Sequence, residues 1–188
     1  MLIELEQVQR MMDWFRKKLY LETIVPKART RLVKRGQVYK CDFGRGIGSE
    51  MRKERPAIIV QNDIGNQHSG NTIVVPVTHN DHQSPCIISL TPRLTSEGEP
   101  LLDGQANASN IMCVSKARLG DFITTLSSEE MKRIDEAMAK SLGIMSYYAN
   151  MKKKLDDKIE YCLRLKKERN DAQEEVVKLK NEVCLQKR

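Results

Sequence analysis

From Gln37 to Val114 the apolar residues arrive in short β-branched runs, and that constrains the fold more than any other feature of the chain. The runs are Gln37 to Phe43, Ala57 to Gln61, Thr72 to Thr78, Pro85 to Thr91 and Asn110 to Val114, each bounded by Gly, Asn, Asp or Pro. Short strands at this spacing predict a small, mostly antiparallel barrel or sandwich. Pro92 to Ser109, rich in Gly, Pro, Ser and Asn, reads as a loop. Ser127-Ser128-Glu129-Glu130 has the S-x-x-E pattern of a capping box and predicts a helix that turns Met131, Ile134, Met138 and Leu142 inward.

Both flanks follow a different period. Leu5, Val8, Met12, Phe15 and Leu19 recur at steps of three and four and form one helical stripe. Pro26 and the basic residues around it predict the end of that helix. After Gly143, the positions 144, 148, 151, 155, 158, 162, 165, 169, 172, 176, 179, 183 and 186 trace a seam in which 10 of 13 residues are apolar or small. Lys158, Arg169 and Gln186 interrupt it. The pattern predicts a coiled coil, because a lone helix of this composition is marginal in water and its apolar seam needs a partner. The N-terminal stripe has the spacing to serve as that partner, within the chain or across a dimer. Three segments follow: a helical extension over 1–32, a β-rich domain over 33–144 and a coiled-coil helix over 145–188. The expected class is α+β with a mainly β core.

Charge belongs to the flanks. The chain of 188 residues carries 32 Lys and Arg against 25 Asp and Glu, a formal charge of +7. Residues 33–143 hold 13 of each sign, residues 1–32 hold 7 basic and 4 acidic, and residues 144–188 hold 12 and 8. A nucleic-acid partner must therefore be met by local placement of cations, since the middle of the chain is neutral. No apolar run approaches the ~18 residues that span a bilayer, so no membrane partner is expected. The acidic, amphipathic start does not read as a signal peptide. Five cysteines without a C-x-x-C pair argue against a disulfide framework or zinc ribbon and for a reducing, cytoplasmic setting.

No P-loop, H-E-x-x-H, G-x-S-x-G or G-x-G-x-x-G occurs. His68, His79, His82 and Cys86 form a loose cluster, read as a polar loop rather than a metal site because further ligands of the right type are missing. A histidine pair could instead serve as acid and base in RNA cleavage. The most informative stretch runs from Arg35-Gly36-Gln37-Val38-Tyr39 through Gly48-Ser49-Glu50 to Arg55-Pro56 and the strand that follows. Pro56 supplies no ladder N–H and suits the first position of a strand. Arg52, Lys53 and Arg55 lie in one short loop and can face a phosphate, Arg55 through a two-pronged contact. From composition alone a solvated charged turn is the favoured reading, since Glu50 and Glu54 offset much of its charge.

The motifs R-G-x-V-Y, G-S-E-x-x-x-x-R-P, the strand ending Q-N-D-I-G-N, V-x-V-T, S-K-A-R-L-G and the later I-D-E-A with S-L-G closely resemble the MazF/PemK (Kid) toxin family. The resemblance covers about residues 33–144 and leaves out both helical flanks. It implies an SH3-like barrel, acting as a homodimer, that cleaves single-stranded RNA at short sequences without metal or other cofactor. It also implies a cognate antitoxin that occupies the RNA groove. The family's catalytic arginine matches Arg55 and its catalytic threonine Thr78, while Ser49 and Glu50 match groove residues. Arg52, Lys53 and His79 join them as expected RNA contacts. In such cleavage the ribose 2′-hydroxyl attacks its own phosphate, and a guanidinium stabilises the charge that gathers there. Arginine is a poor proton donor, so the role expected of Arg55 is electrostatic, with Thr78 bonding the phosphate or the attacking hydroxyl. The proton acceptor stays open at this point.

Two departures from the family stand out. Met51, Arg52, Lys53 and Glu54 fill a loop that is often glycine-rich, and Met112 stands where the family has an arginine. They keep two alternatives in view, a non-catalytic nucleic-acid or protein interaction module on the same fold and a CcdB-like topoisomerase poison.

Overall fold

The computed structural model describes residues 4–79 and 84–186, with side chains described up to residue 180. Two compact units divide at Leu142 and Gly143.

The first unit opens with helix α1, Leu5–Ala28. It runs through Pro26 instead of ending there, because a proline in the last turn removes only one ladder bond and Arg29 N still reaches Val25 O at 2.8 Å. The strands follow as β1 (Gln37–Asp42), β2 (Glu54–Ile59), β3 (Asn71–Thr78), β4 (Ile87–Ser89), β5 (Arg93–Leu94), β6 (Pro100–Leu102), β7 (Gln105–Asn107), β8 (Met112–Ser115) and β9 (Leu119–Thr125). A short helix α2, Asp63–His68, lies between β2 and β3, with Asn62 Oδ1 accepting from Gly65 N at 2.7 Å. A 3-10 turn, Lys116–Arg118, precedes β9. As expected, the unit is α+β with an antiparallel β core.

The main sheet has the order β4-β7-β3-β2-β1-β9, and β8 also pairs with β3. Strand β3 is the bridge: Asn71 to Val74 pair with β8, and Val77 and Thr78 pair with β7. The central strands are buried on both faces. Val38, Ile58, Val75 and Val77 join Leu102, Leu126 and Ile134 on one side, while Tyr39, Ile59, Val74, Val114 and Leu119 gather on the other. Continuous β-branched runs such as Ala57 to Val60 are what two-sided burial selects.

Three readings of this region need correction. The stretch Pro92 to Ser109 is not a plain loop, since it contains the β5–β6 hairpin and β7. Its buried side chains include Ala106 and Ala108, which close the core without apolar bulk that a sequence pattern would register. Strand β9 was not expected either, because as an edge strand it alternates weakly and leaves Phe122 exposed. Strand β2 begins at Glu54, which makes Pro56 its third residue. Proline is tolerated there because pairing of β2 with β3 starts only at Ala57.

Helix α3, Ser128–Ser141, begins at the predicted capping box: Ser127 N donates to Glu130 Oε2 at 2.9 Å and Glu130 N donates to Ser127 Oγ at 3.2 Å. The same Glu130 accepts from both Arg93 nitrogens, at 2.6 and 3.2 Å, and from Thr91 N at 3.1 Å, which ties the helix start to β5. Burial by itself raises the Glu130 carboxyl; the Arg93 guanidinium and the Ser127 and Thr91 amides overcome that and hold it at about 2. Ile134 is fully buried with Met131 and Met138 beside it, whereas Leu142 is 62% exposed at the helix end, where Gly143 (φ +69°) breaks the helix.

The second unit is one helix, α4, Met145–Gln186. All its described side chains are exposed, including Tyr148, Met151, Leu155, Leu165, Val176 and Leu179 of the predicted seam. The side chains of Val183, Cys184 and Gln186 lie outside the described residues. No helix among the described residues is long and apolar enough to cross a membrane.

Candidate active site

The β1–β2 connection is a charged loop held in shape by its own backbone. Phe43 N donates to Lys53 O at 3.0 Å and Lys53 N donates to Gly44 O at 2.9 Å, which closes the base of the loop. Lys53 takes a left-handed backbone (φ +66°), an unfavourable conformation for a residue with a Cβ. At the tip, Ile47 N donates to Glu50 Oε2 at 2.8 Å, so the Glu50 carboxylate supports the loop while Ser49 stays exposed.

Helix α1 braces this loop. Its predicted stripe (Leu5, Val8, Met12, Phe15 and Leu19) remains exposed. A second set at helical spacing, Trp14, Leu21, Ile24, Val25 and Ala28, is the half-buried one. Trp14 lies against Gly44, Lys17 Nζ meets Asp42 Oδ2 at 2.5 Å, and the Arg118 guanidinium sits 5.3 Å from the Trp14 ring centre. Just after the helix, Arg31 donates to the Leu119 and Gly120 carbonyls at 2.5 and 2.7 Å and covers the Tyr39 ring. Arg52 and Lys53 line a depression of about 500 Å³ with Arg45 of the loop and Arg10, Trp14 and Lys17 of α1.

Arg55 faces elsewhere. It is half-buried, its Nε donates to Arg52 O at 3.1 Å, and it lines a groove of about 420 Å³ with Lys40, Pro56, Pro100, Leu101 and Phe122. Arg52, Lys53 and Arg55 therefore do not share one depression, although one backbone turn joins them. Opposite Arg55 in β1 is Cys41, whose thiol burial pushes up to about 12, so it is a core residue and not a nucleophile.

Thr78 ends β3. The β2–β3 register pairs Ala57 with Pro76, and continuing it two residues sets Arg55 across from Thr78, where the strands are no longer paired. Thr78 is 2% exposed, and its Oγ1 has no hydrogen-bond partner among the described residues. Its partner in β7 is Gln105, whose Oε1 is likewise buried and unpaired. A buried polar atom left without a partner costs about 1–3 kcal/mol, so this cross-strand pair holds two hydrogen-bonding atoms that the described residues do not satisfy. Next to Thr78, His79 leaves the strand, and its Nε2 lies 2.8 Å from Asp103 Oδ1. Gly104 allows this closeness: its φ is +100°, and a Cβ there would stand 2.6 Å from Thr78 O and 3.4 Å from the His79 ring.

The sequence-derived residues thus fall into three places: Ser49, Glu50, Arg52 and Lys53 on the braced loop, Arg55 in the β6–β9 groove, and Thr78 with His79 at the end of β3. Sequence reasoning missed Trp14, Arg45, Asp103 and Gln105. Arg45 was visible as a further cation of the loop; Asp103 and Gln105 carried no local signal. Of the histidine cluster, His68 ends α2 and His82 lies outside the described residues. Among the described residues no group of three or more His, Cys, Asp and Glu is placed to hold a metal ion.

Comparison with known proteins points in one direction. A family profile described as PemK-like, MazF-like toxin of type II toxin-antitoxin system matches residues 34–142. The endoribonuclease MazF4 of Mycobacterium tuberculosis is 33% identical over 110 residues, which cover 58% of this chain and 92% of that protein. The endoribonuclease EndoA of Bacillus subtilis is 33% identical over 118 residues, covering 62% and 99%. Among solved structures, a mycobacterial endoribonuclease aligns with a TM-score of 0.50 at 29% identity, covering 61% of this chain and 94% of that one. MazF of Deinococcus radiodurans aligns with a TM-score of 0.53 at 18% identity over 60% and 98%, a likeness of fold.

Proposed function

The chain belongs to the PemK-like, MazF-like toxin family of type II toxin-antitoxin systems, and we propose that it is an endoribonuclease that cuts single-stranded RNA through attack of the ribose 2′-hydroxyl on the adjacent phosphate, without a metal ion. The observation that carries this reading is Arg55, half-buried at the mouth of a groove and two residues beyond the last β2–β3 pair, on the line that extends toward Thr78. A guanidinium anchored through Nε to Arg52 O keeps its two terminal nitrogens free for phosphate oxygens. Those nitrogens stabilise the negative charge that builds in the transition state, in the place a metal ion would otherwise take.

Thr78 contributes a hydroxyl that has no hydrogen-bond partner among the described residues. A local opening of the β3 end brings that hydroxyl to the phosphate. Ser49, Arg52 and Lys53 track the RNA strand away from the reacting phosphate, and Glu50 holds the loop that carries them. A cognate antitoxin fits the family's description and would compete for this surface. The protein acts as a homodimer in the cytoplasm, with the exposed seam of α4 burying itself in a coiled coil and lengthening the dimer contact.

The test incubates the purified full chain with a mixed single-stranded RNA pool, with and without EDTA, and maps the product ends. Cutting that resists EDTA and leaves a 2′,3′-cyclic phosphate with a 5′-hydroxyl is the expected result. Cutting abolished by EDTA, or ends of the opposite polarity, overturns the mechanism.

A further inference from the structure

The geometry points to His79, oriented by Asp103, as the general base that takes the proton of the attacking 2′-hydroxyl. This inference rests on the endoribonuclease reading and names a group that reading leaves open. It begins with β3 ending at Thr78: a residue one step further along a continuing strand would point to the opposite face, and His79 is released from that alternation.

The ring is then fixed from one side. Asp103 is a carboxylate and only accepts, so its 2.8 Å contact with Nε2 requires the proton to sit on Nε2. The other ring nitrogen, Nδ1, is left with its lone pair, and no hydrogen bond among the described residues engages it. A neutral imidazole with one nitrogen held by a carboxylate and the other free is a proton acceptor in working order. Both partners are accessible, with side chains 64% and 50% exposed.

The surroundings are built to allow this contact. Three consecutive residues, the two of the β6–β7 turn and the first of β7, meet the last residue of β3 and the one that follows it. Asp103 bonds His79, Gly104 fits where a Cβ would strike the Thr78 carbonyl, and Gln105 pairs with Thr78. Thr78 Oγ1 and Gln105 Oε1 are buried without a hydrogen-bond partner among the described residues. The Arg55 groove includes Pro100 and Leu101 of β6, the strand that leads directly into Asp103. Among the described residues the charged group bonded to the ring is Asp103.

The step balances without a further reactant. The 2′-oxygen forms a bond to phosphorus as its proton moves to His79 Nδ1, and the bond from phosphorus to the 5′-oxygen breaks on the far side. The departing oxygen takes a proton from water, and the imidazolium returns its own proton to the hydroxide so formed. Nothing is oxidised or reduced.

The experiment measures single-turnover cleavage of a defined RNA substrate by the full chain, its His79→Ala and His79→Gln variants, and its Asp103→Asn and Asp103→Glu variants, across pH and with added imidazole. Circular dichroism melts establish that each variant is folded. Removing the ring is expected to lower kcat about 100-fold or more, to abolish the acid limb of the pH profile, and to be partly reversed by imidazole for His79→Ala. Asp103→Asn lets an amide donate to Nε2 and favours the wrong tautomer. It is expected to lower kcat without raising KM, with Asp103→Glu partly restoring it. Unchanged kcat and pH profile in the His79 variants, or a loss confined to KM that imidazole does not touch, overturns the assignment while the endoribonuclease reading stands. A wild-type protein that releases no cyclic phosphate overturns the reading beneath it.

Discussion

Trp14 stands against Gly44 so closely that a Cβ on the glycine would lie 2.4 Å from the indole Cζ2. One aromatic ring thus couples a helix outside the family-matched region to the loop that carries Ser49, Glu50 and Arg52. The contact is supported by Lys17 on Asp42 and by Arg118 over the ring. The helix therefore has one concentrated point of attachment to the loop, and substitution there reports on the whole brace.

Gly44→Ala should destabilise the protein by about 2 kcal/mol or more, since the residue sits at φ +74° and its new methyl overlaps the indole. Urea denaturation reads the loss. Adding Trp14→Ala should recover the steric part and leave about 1 kcal/mol of backbone strain. Strictly additive losses in the double variant would show that ring and glycine do not oppose each other.

Arg55→Ala should reduce RNA cleavage about 100- to 1,000-fold while the melting temperature stays close to that of the wild type, because the side chain is half-exposed and, among the described residues, bonds only the Arg52 carbonyl. Arg55→Lys restores the charge without the fork and should recover only part of the rate. Equal rates for all three proteins on one RNA substrate would remove Arg55 from the chemistry.

Stability in acid should depend on Glu130. Its folded value of about 2 lies below the ordinary 4.5, so the folded state holds this carboxyl deprotonated where the unfolded chain takes up a proton. The contribution is fully present above about pH 4.5 and is lost as the pH falls toward about 2. It amounts to ~2–3 kcal/mol. Glu130→Gln should be less stable at pH 7 and should lose less stability on acidification; parallel stability–pH curves for the two proteins would contradict this.

Deleting residues 143–188 should weaken self-association, because the α4 seam is exposed along its described length. Sedimentation over a range of concentrations should give a dimer that dissociates at higher concentration than the full chain does. An unaltered association constant would show that the helix pairs with something other than a second copy.

What was legible in the sequence followed from local rules. The capping box at Ser127, the helical period after Gly143 and the strand runs around Ile58 and Val75 are set by neighbours within a few residues, and the structure has them where the pattern puts them. Strands β7 and β9 were not legible. Gln105–Asn107 contains an alanine buried by its surroundings and not by its own apolarity, and Leu119–Thr125 lies at an edge where one face is never covered. Leu142 misled for a related reason: it continues the apolar period of α3 past the point where the helix has anything to pack against.

The order of residues carries the periods, and with them a β core between two helical flanks, a coil-like tail and a family frame holding Arg55 and Thr78. Periods and motifs are properties of adjacent residues, so one chain suffices to read them. It took the packed fold to turn Trp14 of α1, and not its apolar stripe, onto the Gly44 loop, to open Arg52 and Arg55 on different depressions, and to bring Asp103 to His79. Each of these joins residues more than 20 positions apart or sorts neighbours by a packing partner elsewhere in the chain. Such choices depend on strand register and on which faces are already covered, and neither exists until the sheet has formed.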